Sequence, residues 1–219
     1  MPKMIGPCEI GSGTIVDDNV VIGYPGKDSL LKSRNLNESE GSRIGSNCIL
    51  RAGTIIYEQS AIGDDVQFAH HVVIREGVTI GRGCVFGNGT VVREGARLGS
   101  NVRLMDGVMI CEGAQISDNV FIGPNVSLTG GRFMTGAAQA AGLMSDQEAR
   151  ELEGRYWSGP SIVIEERAKI GSNAVLLAGI RIGRGATIAA GAVVSTDVPA
   201  GATAAGNPAR LLKVAVETK

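Results

Sequence analysis

Histidine occurs twice in this 219-residue chain, at His70 and His71, side by side in "FAHHVVIREG". An imidazole, with an ordinary pKa of about 6.5, is the side chain best suited to take a proton from a nucleophile near neutral pH. Eighteen residues beyond His70 stands Asn88, and eighteen beyond that stands Asp106. A side-chain amide can hold a polar substrate group or steady an oxyanion. Such chemistry requires these residues to meet in space, so something must wind the chain with a period of eighteen.

A period of six supplies the winding. Stepping by six from Ile44 to Leu128 gives fifteen residues, all apolar. The residue four after each of the first fourteen, from Cys48 to Val126, is small or β-branched. The residue three after is Gly, Asn or Asp in twelve of the fourteen, with Gln59 and His71 as exceptions. A large and a small residue two apart point to one side of a short strand. The Gly/Asn/Asp column marks a corner at positive φ, which those residues reach at least cost. Histidine is also enriched there, so His71 is expected to be a corner residue.

Three such strands close a triangle. Ile-Gly pairs recur at 44, 62 and 80, with Leu-Gly at 98, and Glu58, Glu76, Glu94 and Glu112 also step by eighteen. Residues i and i+18 are therefore expected to stack about 4.8 Å apart on successive turns, with Phe68 over Phe86 inside. The Glu column puts like charges at that spacing, which asks for pairing with residues such as Arg75 and Arg93. The same phase holds at Ile10, Val16 and Ile22, and again from Ile164 to Val194, giving about eight turns. The expected domain is one prism over 1–219, roughly 38 Å long. Residues 24–43 and 129–161 break the pattern as loop excursions, and 207–219 form a C-terminal tail that covers the last open edge. Within the second excursion, "SDQEARELEG" reads as a short helix with Ser145 as N-cap, Glu148 at N3 and Gly154 as terminator.

Composition narrows the function. Net charge is −1, and no apolar run is long enough to span a bilayer, so neither nucleic acid nor membrane is an expected partner. With no secretory h-region, a soluble cytoplasmic protein is expected. Glycine is abundant at 32 residues and aromatics make up only 4%, in keeping with a narrow interior filled by small and aliphatic groups. Cys8, Cys48 and Cys84 fit the small inward slot; Cys111 lies outside it and is expected to be partly exposed.

These columns resemble those of the hexapeptide-repeat acyltransferases, whose fold is an all-β, left-handed parallel β-helix. The left hand comes from that resemblance alone. "ISDNVFIGPNVSLTG" and "IVIEERAKIGSNAVLLAGIRIGRGATIAAGAVVSTDVPAGATAAGNPAR" are similar to N-acetyltransferases acting on amino groups of nucleotide-linked sugars. The resemblance implies a homotrimer, with acetyl-CoA in a groove between two prisms and the acceptor amine nearby. It implies His70 as base and Asn88 as an active-site amide, through stretches similar to "AHHVVIREG" and "VFGNGTVVREG". It places CoA along the C-terminal coils, where Ala178, Ala190 and Ala205 leave room for pantetheine and Arg184, Arg210 and Lys213 suit the phosphates. Where the family commonly reads close to "FTND", this chain reads "SLTGGRFMTG", so Gly130 and Gly131 replace a polar pair.

Glu76, Asp106, Tyr156 and Trp157 are candidates for the acceptor, the last two as a loop-borne aromatic pair able to stack on a base. Asp106, two turns from His70, is too far to orient it directly. Two adjacent histidines facing different ways do not make the three-histidine zinc site of the γ-type carbonic anhydrases, and no metal is expected. His70 is either a base or a group that only positions the acceptor. A non-catalytic ligand-binding prism and an O-acetyltransferase remain the alternatives.

Overall fold

The computed structural model describes residues 1–130, 138–139, 141–156 and 160–212. Three parallel sheets of nine, eight and ten strands form the sides of a prism of nine to ten turns. Most strands are two residues long, because a corner follows each. The first sheet contains Ile55–Tyr57, Val73–Ile74, Val91–Val92 and Met109–Ile110; the second contains Ala61–Ile62, Thr79–Ile80 and Arg97–Leu98; the third contains Gln67–Phe68, Val85–Phe86 and Arg103–Leu104. Register is i to i+18 through the uninterrupted turns, as in Ile56↔Ile74↔Val92.

Both inward columns are buried from end to end, from Ile44 to Leu128 and from Cys48 to Val126. Phe68 and Phe86 stack with ring centroids 4.8 Å apart. The hydroxyls among the small inward residues donate to carbonyls, Ser60 Oγ to Arg75 O at 2.9 Å and Thr90 Oγ1 to Met105 O at 3.1 Å. Every corner position from Asn47 to Asn125 has positive φ, including the two exceptions, Gln59 at 60° and His71 at 58°. His71 is a corner residue.

The prism is longer than the eight expected turns because strands Lys3–Met4, Thr203–Gly206 and Ala209–Leu211 extend it at both ends. The last two form an antiparallel hairpin through a cis Asn207–Pro208 bond and close the edge of the third sheet. The tail beyond 212 lies outside the described residues. The first excursion, expected as a loop, carries a seven-residue helix, α1, at Lys27–Ser33. The second carries α2 at Asp146–Tyr156. Its capping box is formed: Glu148 N donates to Ser145 Oγ, and Ser145 N donates to Glu148 Oε2 at 2.8 Å. Gly154 does not end this helix, which runs two residues further.

Two kinds of glycine follow from the winding. Gly95 has φ +66° and open space where a Cβ would sit. Gly81 has ordinary φ, but an added Cβ would lie 2.6–2.7 Å from the Gly99–Ser100 backbone of the next turn. Gly95→Ala should therefore cost about 1 kcal/mol, the price of an alanine in the left-handed region. Gly81→Ala should cost about 3 kcal/mol, because the stack itself must open. Urea unfolding of the two variants checks the order.

Candidate active site

The corners of successive turns line up into three edges. Residues 58, 76, 94 and 112 follow first-sheet strands and form the edge between the first and second sheets. Residues 64, 82, 100 and 118 form the second edge, and 70, 88, 106 and 124 the third, between the third and first sheets. His70, Asn88 and Asp106 are thus brought together as vertical neighbours, while Glu76 stands on a different edge.

On the third edge the side chains are linked through the backbone. His70 N donates to Asn88 Oδ1 at 3.1 Å. Asn88 in turn donates from its backbone N at 2.6 Å and from Nδ2 at 3.2 Å, both to Asp106 Oδ1. Asp106 therefore reaches His70 only by way of Asn88. The same staple recurs on the second edge, where Ser46 N donates to Asp64 Oδ1 and Ser100 N to Asp118 Oδ1, each at 2.7 Å. Asn88 thus fixes the His70 backbone through its oxygen, and one of its amide hydrogens is left for a ligand. The His70 imidazole is exposed, 6.4 Å from the His71 ring between centroids, and makes no hydrogen bond among the described residues. The His71 ring lies over Gly53, where any Cβ would collide with it.

The first edge is the one from which both excursions leave. The first departs after Val21–Tyr24 and the second after Ser127–Leu128, both strands of the first sheet, and each returns to the second. The Glu column runs between them. Glu58, 2% exposed, clamps the first excursion: its Oε1 accepts from Gly26 N at 2.7 Å and Ser29 Oγ at 2.5 Å, and its Oε2 from Glu40 N at 3.1 Å. Burial alone would raise its pKa, but these hydrogen bonds, led by Ser29 and Gly26, outweigh it and hold the carboxyl below the usual value. Glu76 and Glu94 are each held by the preceding arginine through two bonds, Arg75 at 2.8 and 2.9 Å and Arg93 at 3.1 and 3.0 Å. Like charges stacked at one strand spacing are thereby neutralised in place.

Glu112 is buried under the second excursion, and its Oε1 has no hydrogen-bond partner among the described residues. Ser161 Oγ donates to the Glu112 carbonyl. Gly130 lies against the Glu112 carboxylate, which a Cβ at 130 would strike. That contact gives a packing reason for glycine at 130; Gly131 lies outside the described residues. Cys111 is buried rather than partly exposed, with Ser161 of the second excursion against its thiol. Burial, with the Glu112 charge beside it, pushes its thiol up to about 12, which removes it as a nucleophile.

Ala178, Arg184 and Ala190 step by six, so they occupy the first, second and third edges of a single turn. One groove cannot be lined by all three from the same prism. Ala190 follows a third-sheet strand, on the same edge as His70 but several turns along, and Ala205 lies within the third-sheet strand Thr203–Gly206. Arg184 pairs with Glu166 at 3.2 Å, and Arg210 Nη1 donates to its neighbour's carbonyl at 2.9 Å. Tyr156 ends α2; Trp157 and Lys213 lie outside the described residues. Among the described residues no three His, Cys, Asp or Glu side chains converge on a metal-sized site, and no helix is long and apolar enough to cross a membrane.

A family model described as bacterial transferase hexapeptide (six repeats) matches residues 59–94, 95–130 and 161–196. These three stretches, just under half of the chain, match the hexapeptide repeats of bacterial transferases. A 2,3,4,5-tetrahydropyridine-2,6-dicarboxylate N-acetyltransferase of Staphylococcus aureus (strain JH9) is 52% identical over 62 residues, 28% of this chain and 26% of that protein. The chain thus matches about a quarter of the length of these curated relatives. Among solved structures, a UDP-N-acetylglucosamine acyltransferase of Francisella novicida superposes with TM-score 0.64 at 18% identity, over 99% of this chain and 71% of that one. An Arabidopsis enzyme of the same name gives 0.65 at 18%, over 96% and 72%. At such identity these two likenesses concern the hexapeptide fold alone.

The Glu58 clamp has a pH signature. Its folded pKa lies below the unfolded value of about 4.3, so its stabilisation is complete above that pH and is lost as pH falls through the folded pKa. Glu58→Gln should be less stable than the parent at pH 7, and the gap should narrow as pH drops below about 4. Denaturation midpoints at pH 7 and pH 3 check this.

Proposed function

We propose that this chain transfers an acetyl group from acetyl-CoA to an amine, on a nucleotide-linked amino sugar, as a homotrimer in the cytoplasm. The observation that carries the reading is the exposed, uncommitted imidazole of His70, on an edge where Asn88 and Asp106 fix its backbone. The partial match to an N-acetyltransferase supports an amine acceptor; the nucleotide-linked sugar rests on the sequence resemblance.

In the proposed reaction the amine nitrogen bonds to the thioester carbonyl carbon as its proton passes to the His70 imidazole. The carbon–sulfur bond then breaks, and the proton leaves with the CoA thiolate as the free thiol. The second Nδ2 hydrogen of Asn88 is available to the carbonyl oxygen as charge develops on it. A groove between two prisms takes one edge from each, so it would reach two of the three edges that carry Ala178, Arg184 and Ala190, and the need for a second prism is why the trimer belongs to the proposal.

A second reading, a non-catalytic prism, is favoured by one observation: the Asn88 staple has counterparts at Asp64 and Asp118, where no histidine stands. His70→Ala separates the two. Acyl transfer predicts a fall of roughly 10²–10⁴ in the rate of CoA thiol release with an amine panel, with unfolding unchanged. No thiol release by the parent protein with any amine would overturn the proposed activity.

A further inference from the structure

The first excursion creates a cleft that the His70 edge does not use. It is a volume of about 330 Å³ between α1 and the first sheet. Tyr24 and Tyr57 line it with their rings edge to face, centroids 5.2 Å apart, and the Arg75 guanidinium lies over Tyr57 at 4.8 Å. Leu30 faces in from α1. In a chain with three tyrosines and 4% aromatic residues, two of them meet here.

The charges are one-sided. The charged residues of the lining are Lys27, Arg34 and Arg75, with no carboxylate among them. Arg75 is already matched by Glu76. Lys27 and Arg34 have no ion-pair partner among the described residues. Arg34 caps α1 at φ 56°, a left-handed position that glycine fills at less cost, yet an arginine stands there and lines the cleft. The wall is held in place rather than loose, because Glu58 ties Gly26, Ser29 and Glu40 to the prism. Aromatic and aliphatic surface beside two unmatched cations suits a flat ring system that carries anionic oxygens.

We infer that the cleft between α1 and the first sheet binds a nucleoside diphosphate group, with the base against Tyr24, Tyr57 and Leu30 and the phosphates at Lys27 and Arg34. Such a group has two sources in the proposed reaction, the nucleotide of the acceptor and the adenosine diphosphate portion of CoA. The inference rests on that reaction only for the choice of ligand.

Calorimetric titration of the full chain with UDP, ADP, CoA and inorganic pyrophosphate tests it. The parent should bind at least one nucleoside diphosphate, and pyrophosphate at least tenfold more weakly. Lys27→Ala with Arg34→Ala should weaken nucleotide binding roughly tenfold or more, while Arg97→Ala with Arg103→Ala, the same charge loss on the other two sheets, should leave it unchanged. Both pairs are exposed, and circular dichroism verifies folding. Selective loss of UDP binding assigns the cleft to the acceptor, and selective loss of CoA binding assigns it to the donor. No nucleotide binding by the parent, pyrophosphate binding as tight as UDP, unchanged binding in the first pair or equal loss in the second would each overturn the inference. Because binding is read without turnover, loss of nucleotide binding in a protein that never releases CoA thiol would fault the acyltransfer reading and leave this one standing.

Discussion

Backbone hydrogen bonding from one turn to the next is the constraint on which the molecule depends. Val73 N donates to Thr90 O and Val91 N to Val108 O, each at 2.9 Å, and this pattern repeats on all three sides. A two-residue strand has almost no stability alone. It persists because the strands eighteen residues away satisfy its polar groups and because the two inward columns exclude water. An edge is then a line of corners at one strand spacing, and whatever residue stands at a corner meets its counterparts above and below.

The three edges share this geometry and differ in what the sequence places on them. On the second, aspartates staple serine amides. On the third, the same staple is made with Asn88 and Asp106 beneath an exposed histidine. The first is given to loops: both excursions leave there, and the Glu column between them is buried as a tie at Glu58, buried against Gly130 at Glu112, and paired with a neighbouring arginine at Glu76 and Glu94. The first sheet lies between the loop edge and the histidine edge. The cleft under α1 opens on that sheet through Tyr57 and Arg75.

Most of this was legible in the sequence because the period is strict. The inward columns, the corners and the stacked phenylalanines follow from counting by six and eighteen, and His71 followed from its column. What was missed came from the parts without a period. Cys111 stands at an outward position, so its burial by the second excursion could not be counted from the repeat. Glu58 reads like its exposed-looking neighbours in the column until α1 folds over it. The departure of both excursions from one edge was available, since each follows a strand of the Ile56 column, but only once the register across the interruption is fixed. Ala178, Arg184 and Ala190 were grouped by resemblance, although a spacing of six already separates them onto three edges. Gly130 read as a lost polar side chain and is in fact the room that the Glu112 carboxylate occupies.

The third edge is where the stacking and the proposed chemistry meet, and a crystal structure with bound acetyl-CoA tests that meeting most directly. The thioester carbon is expected against the third edge, within hydrogen-bonding reach of the His70 imidazole and the free Asn88 amide hydrogen, with a second prism completing the groove. A thioester lying instead along the Glu58–Glu112 edge, with His70 facing bulk solvent, would contradict it.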